Sequence, residues 1–140
     1  METVILIITG IVSAIATYVV NNRLKQGAVR ASSLLSLMVG LFFYFVPDLL
    51  STYLTRNIPL VFIGASFIGM VSSKILSSYL LLGLSGIIFS VLFVNSSEYF
   101  DGYGGGLGTT AAISLLVSLS MAIIARKKPL KKLKELRHKK

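Results

Sequence analysis

The stretch IPLVFIGASFIGMVSSKILSSYLLLGLSGIIFSVLFV, residues 58–94, decides the fold. Its 37 residues hold one charge, Lys74. As a single helix it would run about 55 Å at 1.5 Å per residue, while the hydrocarbon of a bilayer is about 30 Å thick. The run must therefore break near Ser72, Ser73 and Lys74, and it reads as two crossings, 58–73 and 75–94.

Working outward, three further apolar runs approach the roughly 20 residues that a helical crossing needs: 4–20, 31–46 and 107–125. The sequence thus predicts an all-α, polytopic membrane helical bundle of about five transmembrane helices, residues 1–125, followed by a basic tail, 126–140. Residues 47–57 leave two readings open. Leu49, Leu50, Tyr53 and Leu54 suit either an interfacial helix or the completion of a short second span. The first run lacks the basic segment that precedes a signal-peptide core, since Met1, Glu2 and Thr3 open the chain, and it reads as a retained helix.

Charge orients the bundle. Arg23, Lys25 and Arg30 follow the first run, Lys74 follows the third, and nine cations follow the fifth. Glu2, Asp48, Glu98 and Asp101 lie at the alternate ends with Arg56. Thirteen of fourteen cations therefore fall on one side and four of five acids on the other. By the excess of Lys and Arg in cytoplasmic loops, the N-terminus is expected outside and the C-terminus in the cytoplasm of a cell (plasma or inner) membrane. The net charge of +9 divides accordingly: the tail carries nine cations and Glu135, or +8, leaving +1 for residues 1–125. That distribution explains the basicity as orientation and argues against nucleic acid, for which no recognition fold accompanies the charge.

Composition excludes whole function classes. Hydrophobic residues make up 54% of the 140 and charged residues 14%, where a soluble domain carries about 25% charge. There is no Cys, and the single His138 lies in the tail. Without a thiol or an ionisable residue deep in a span, hydrolase, metalloenzyme, redox and self-contained proton-pump readings all lack their essential groups. The expectation is a non-enzyme with no cofactor and no bound metal.

What the runs share is small-xxx-small spacing. Thr9, Ser13 and Thr17 recur every four residues in the first, Ser32, Ser36 and Gly40 in the second, and Gly106, Thr110, Ser114 and Ser118 in the fifth. Residues four apart share a helix face, and small ones let two backbones approach closely. Helix packing is one reading of these stripes. The other is a polar pathway, because rows of hydroxyls replace part of the hydration shell of a small solute or ion.

Two regions outside the spans carry further candidates. Between the fourth and fifth runs, Glu98 and Asp101 precede Gly104, Gly105 and Gly106, an opening where helix-start amides would meet an anion, or else a flexible turn. The triplet Gly102, Tyr103, Gly104 repeats part of the potassium-channel filter. Phe100 and Asp101 stand where that filter needs Thr and Val, so a filter is excluded. In the tail, Leu130, Leu133 and Leu136 form a narrow stripe among Arg126, Lys127, Lys128, Lys131, Lys132 and Lys134. This predicts contact with anionic lipids at the cytoplasmic face, or with a protein partner.

Two functions follow as expectations. The first is an oligomeric permease or channel-type subunit for a small polar solute or ion, without its own proton relay. The alternative is a non-transporting anchor or scaffold subunit of a larger membrane complex, held by its small-residue faces and basic tail.

Overall fold

The break expected in residues 58–94 is present, but wider than three residues. A computed structural model describes residues 1–96 and 104–138, with side chains for 1–96 and 105–125. It contains α1 (Glu2–Asn22), α2 (Ala28–Phe45), a short 3-10 turn (Pro47–Leu49), α3 (Thr52–Gly69), α4 (Tyr79–Ser96) and α5 (Gly104–His138). No strand occurs among the described residues. Four helices are long and apolar enough to cross a membrane: α1, α2, α4 and residues 105–125 of α5.

Helix boundaries correct the third and fourth runs. α3 begins at Thr52 because the Ser51 hydroxyl accepts the Leu54 amide at 3.4 Å, a side-chain cap for one of the free amides of the first turn. Residues 47–57 are therefore neither a separate interfacial helix nor the end of the second span: the 3-10 turn takes the first three, and Thr52 to Asn57 open α3. The helix ends at Gly69, not Ser73. Beyond it, Ser72 gathers the chain into a turn, its carbonyl accepting the amides of Ile75 and Leu76 at 2.9 and 3.0 Å. Its hydroxyl accepts that of Lys74 at 3.3 Å, so α4 starts only at Tyr79.

Helix α3 also differs in character from the expected third span. Thr55, Arg56, Asn57 and Pro59 lie in its first half, and it does not reach the apolarity of the other four. It packs against all four other α-helices, and nine of its 18 residues are buried. Where neighbouring helices stand in place of hydrocarbon, a helix can carry polar residues that a lipid-facing one could not.

Helix directions follow from the contacts. Glu2 meets Ser51, Ser13 meets Phe62, Asn21 meets Met70 and Asn22 meets Val71, each pair 49 residues apart. A constant offset means that α1 and α3 run parallel and in step. On α4 the numbers fall as those on α1 rise: Leu6 lies against Ser90, Gly10 against Gly86, and Tyr18 against Tyr79. These two are antiparallel. α2 carries the chain back between the parallel pair, and α5 packs on α4 and α3.

The bundle has an exterior apolar to a degree that soluble domains do not show. Its buried polar side chains, among the described residues, are all Ser or Thr, while Leu34, Leu37, Met38, Phe42, Phe45, Leu116, Ile123 and Ile124 are exposed. The interior itself is mostly apolar, with Leu6, Val61, Ile68, Leu82 and Phe89 at its centre. Apolar surface is thus found both inside and outside, while the buried hydroxyls, Thr17 apart, are bonded within it, as suits a hydrocarbon surrounding.

Candidate functional site

The chemistry-bearing side chains lie along the helix seams, so the site is built seam by seam. In the parallel α1–α3 seam, small residues let the backbones touch. A Cβ on Gly69 would lie 2.6 Å from the Ala14 carbonyl and 2.8 Å from the Tyr18 amide, closer than real Cβ atoms approach. Ser13, fully buried, donates to the Phe62 carbonyl at 2.6 Å. At the end of the seam, Asn21 donates to the carbonyls of Gly69 (3.4 Å) and Met70 (3.2 Å), and Asn22 to that of Val71 (3.2 Å). The carbonyls of Gly69 and Met70 are ones that a terminating helix leaves open, so Asn21 of α1 caps the end of α3 while Asn22 holds the chain just beyond it. Tyr18 adds a bond from its hydroxyl to the Leu76 carbonyl at 2.8 Å.

The antiparallel α1–α4 seam is nearly as close. A Cβ on Gly86 would fall 2.8 Å from the Gly10 carbonyl oxygen and 3.0 Å from Ile11 Cα, both backbone atoms. One on Gly10 would overlap Ser90 Oγ, which reaches the carbonyls of Gly86 (2.9 Å) and, across the seam, Leu6 (3.2 Å). Between α3 and α4, Phe89 fills the notch left by Gly64.

The α2–α3 seam is held by hydroxyls. Ser66 donates to the Ile63 carbonyl at 2.6 Å, which uses its only proton. Its 2.6 Å contact with Ser32 must therefore be a bond donated by Ser32, with Ser36 at 3.5 Å beside it. Ser32 and Ser66 are buried, while Ser36 is half-buried.

The α5 stripe is turned inward and closed on its own helix. Thr110 donates to the Gly106 carbonyl (2.8 Å), Ser114 to that of Thr110 (2.7 Å) and Ser118 to that of Ser114 (3.0 Å). All three are buried. Half-buried Thr9 behaves alike, donating to Ile5 at 2.8 Å. Thr17 Oγ1 is the exception: pressed against the last turn of α3, it is the one buried side-chain polar atom without a hydrogen-bond partner among the described residues.

Of the other expected site residues, Glu98 and Asp101 lie outside the described residues. Gly104, Gly105 and Gly106 are the first turn of α5; Gly106 is buried and Gly105 faces open space. Arg126, Lys127, Lys128, Lys131, Lys132 and Lys134 belong by backbone to α5, which passes the expected boundary at residue 126 without interruption, and their side chains lie outside the described set. At about 1.5 Å per residue, its 35 residues measure roughly 52 Å, so a span of ordinary thickness leaves the last turns standing clear of the hydrocarbon.

Sequence reasoning missed Asn21, Asn22 and Ser66. The asparagines are polar residues closing an apolar run, a signal for helix capping. Ser66 sits one position off the Ala65–Gly69 spacing and gives no signal of its own. Among the described residues no three His, Cys, Asp or Glu side chains gather as a metal site requires.

This arrangement has the make-up of a helical membrane protein: several apolar helices, hydroxyl-lined seams and an apolar exterior. Comparison with protein-family models, curated proteins and solved structures finds no match to the chain.

Proposed function

We propose that the chain is a non-catalytic, multi-pass membrane subunit that anchors a larger assembly. In this reading α3 is a fifth crossing, the N-terminus lies outside, and the C-terminus enters the cytoplasm from a plasma or inner membrane. One observation carries it: the protons of Ser13, Ser66, Ser90, Thr110, Ser114 and Ser118 are spent on backbone carbonyls within or between helices. Ser13 and Ser90 bond across seams and the others close on their own helices, so together they offer no open row of donors to a passing solute. The helical extension of α5 is then the arm that meets a cytoplasmic partner. Removing residues 131–140 is expected to abolish co-purification of that partner while leaving the bundle's thermal stability unchanged. Retention of every partner by the truncated chain refutes the arm.

The second reading is an oligomeric permease or channel-type subunit. Exposed Thr109 and Ser120, with Gly105 and Gly108 facing open space, favour it, because a pathway would then run between copies. Replacing Thr109 and Ser120, on the exposed face of α5, together with Val separates the two readings. Lost flux in reconstituted vesicles with assembly intact supports the permease; altered assembly alone supports the anchor.

A further inference from the structure

We propose that one end of the bundle binds the headgroups of anionic phospholipids through Arg23, Lys25, Arg30 and Lys74. The inference rests on the membrane reading above and assigns it a specific lipid contact apart from the tail. Two stretches distant in sequence meet at this end. The Ser73 amide donates to Asn22 Oδ1 at 3.0 Å, and Asn22 Nδ2 donates to the Val71 carbonyl at 3.2 Å. Arg23 and Lys74 each stand one residue from this bonded pair, so the tie that closes the α1–α3 seam also gathers their charges. Lys25 and Arg30 follow across the turn into α2, where Lys25 (φ 52°) and Gly27 (φ 88°) reverse the chain.

All four cations are exposed, and no acid occurs in residues 21–30 or 70–78. The described carboxylates, Glu2 and Asp48, lie at the other end of the helices. Four like charges at one end, with no counter-charge beside them among the described residues, call for an anionic partner.

A second feature specifies which anion. Leu24 (61% exposed), Val29 (72%) and Ile75 (65%) lie directly beside these cations in the same two stretches, and Leu80 (86%) follows in the first turn of α4. A soluble phosphate or an acidic protein surface gives such side chains nothing to bury in. A phospholipid satisfies both sets at once, with its phosphate at the cations and its acyl chains at the leucines, valine and isoleucine. The amino terminus of α2, capped by no side chain, faces the same end and adds a favourable dipole.

The test uses the full chain reconstituted in phosphatidylcholine bilayers with and without 20 mol% phosphatidylglycerol. Retained lipid is read by native mass spectrometry after mild extraction. The wild-type chain is expected to retain phosphatidylglycerol in preference to phosphatidylcholine. Substituting Arg23→Gln, Lys25→Gln, Arg30→Gln and Lys74→Gln together removes that preference, at roughly fivefold per cation. The charge-preserving pair Arg23→Lys and Lys74→Arg retains it, as does a chain with its tail cations changed to Gln. An unchanged preference in the loop variant overturns the proposal, as does a preference lost only with the tail cations. Displacement of the lipid by millimolar inorganic phosphate also overturns it, in favour of a free-anion site. A chain that does not float with liposomes refutes the membrane reading itself, whereas one that floats without lipid preference refutes only the headgroup site.

Discussion

Helices α2 and α3 are neighbours of equal length, 18 residues each, yet their surroundings are opposite. α2, polar only toward its start (Arg30, Ser32, Ser33 and Ser36), runs apolar from Leu37 to Phe45 apart from Tyr44, and buries only Ala31 and Ser32. α3 begins with Thr52, Thr55, Arg56 and Asn57, carries Pro59 within it, and buries half of its residues. In a soluble domain the more apolar helix would be the interior one. Here apolarity extends over the surface that faces out, and α3 buries large apolar residues (Leu54, Ile58, Val61, Phe62 and Ile68) together with small ones (Gly64, Ala65, Ser66 and Gly69) that admit or bond a neighbouring backbone. Lipid tails are as apolar as leucine, so hiding leucine gains little, and close packing with satisfied hydroxyls decides which helix sits at the centre.

The comparison breaks most sharply at glycines. Gly86→Leu forces its side chain into the backbone of Gly10 and Ile11, and is expected to cost about 3 kcal/mol or to prevent assembly, overpacking typically costing about 1–3 kcal/mol. On α2, Gly40 meets nothing within 4 Å, and Gly40→Leu is expected to change stability by less than about 0.5 kcal/mol. Unfolding of both variants in detergent, followed by helical circular dichroism, reads the difference. Equal losses would mean that α2 has a partner on its open face.

The hydroxyl junction between these two helices comes next. Ser66→Ala leaves the buried Ser32 hydroxyl without its acceptor and is expected to cost about 2 kcal/mol, within the range of about 1–3 for an orphaned buried polar group. Ser33→Ala, exposed on the same helix as Ser32, should be neutral by the same measurement. Asn22→Ala removes the bond it donates to Val71 and the one it accepts from Ser73, at about 1 kcal/mol because water reaches this end. Faster hydrogen exchange at the Ser73 amide is the specific readout. The smallest effect has the opposite sign. Thr17→Val deletes the one unpartnered buried hydroxyl among the described residues while keeping its shape, and is expected to stabilise the bundle by up to about 1 kcal/mol.

Much of this was legible in the residues. A 37-residue apolar run cannot be one crossing, so its division followed from bilayer thickness alone, and the spacing of Ser13, Thr17, Thr110, Ser114 and Ser118 placed each set on one face of its helix. Helix ends were less legible. The sequence of residues 47–57 shows apolar side chains but not that Ser51 will cap Thr52 onward, and nothing local to Gly69 announces that Asn21 will bond its carbonyl and Asn22 the chain just beyond.

By itself, then, the sequence determined that the chain is helical, apolar enough for several crossings, and divided in charge between its two ends, because periodicity, length and charge are properties of a segment alone. Only the tertiary structure decided which helix lies at the centre, that α1 and α3 run parallel in step, and that the hydroxyl stripes close on carbonyls. Those outcomes depend on which small residue meets which backbone, and a Gly10 that fits Gly86 looks the same in the sequence as a Gly40 that meets nothing.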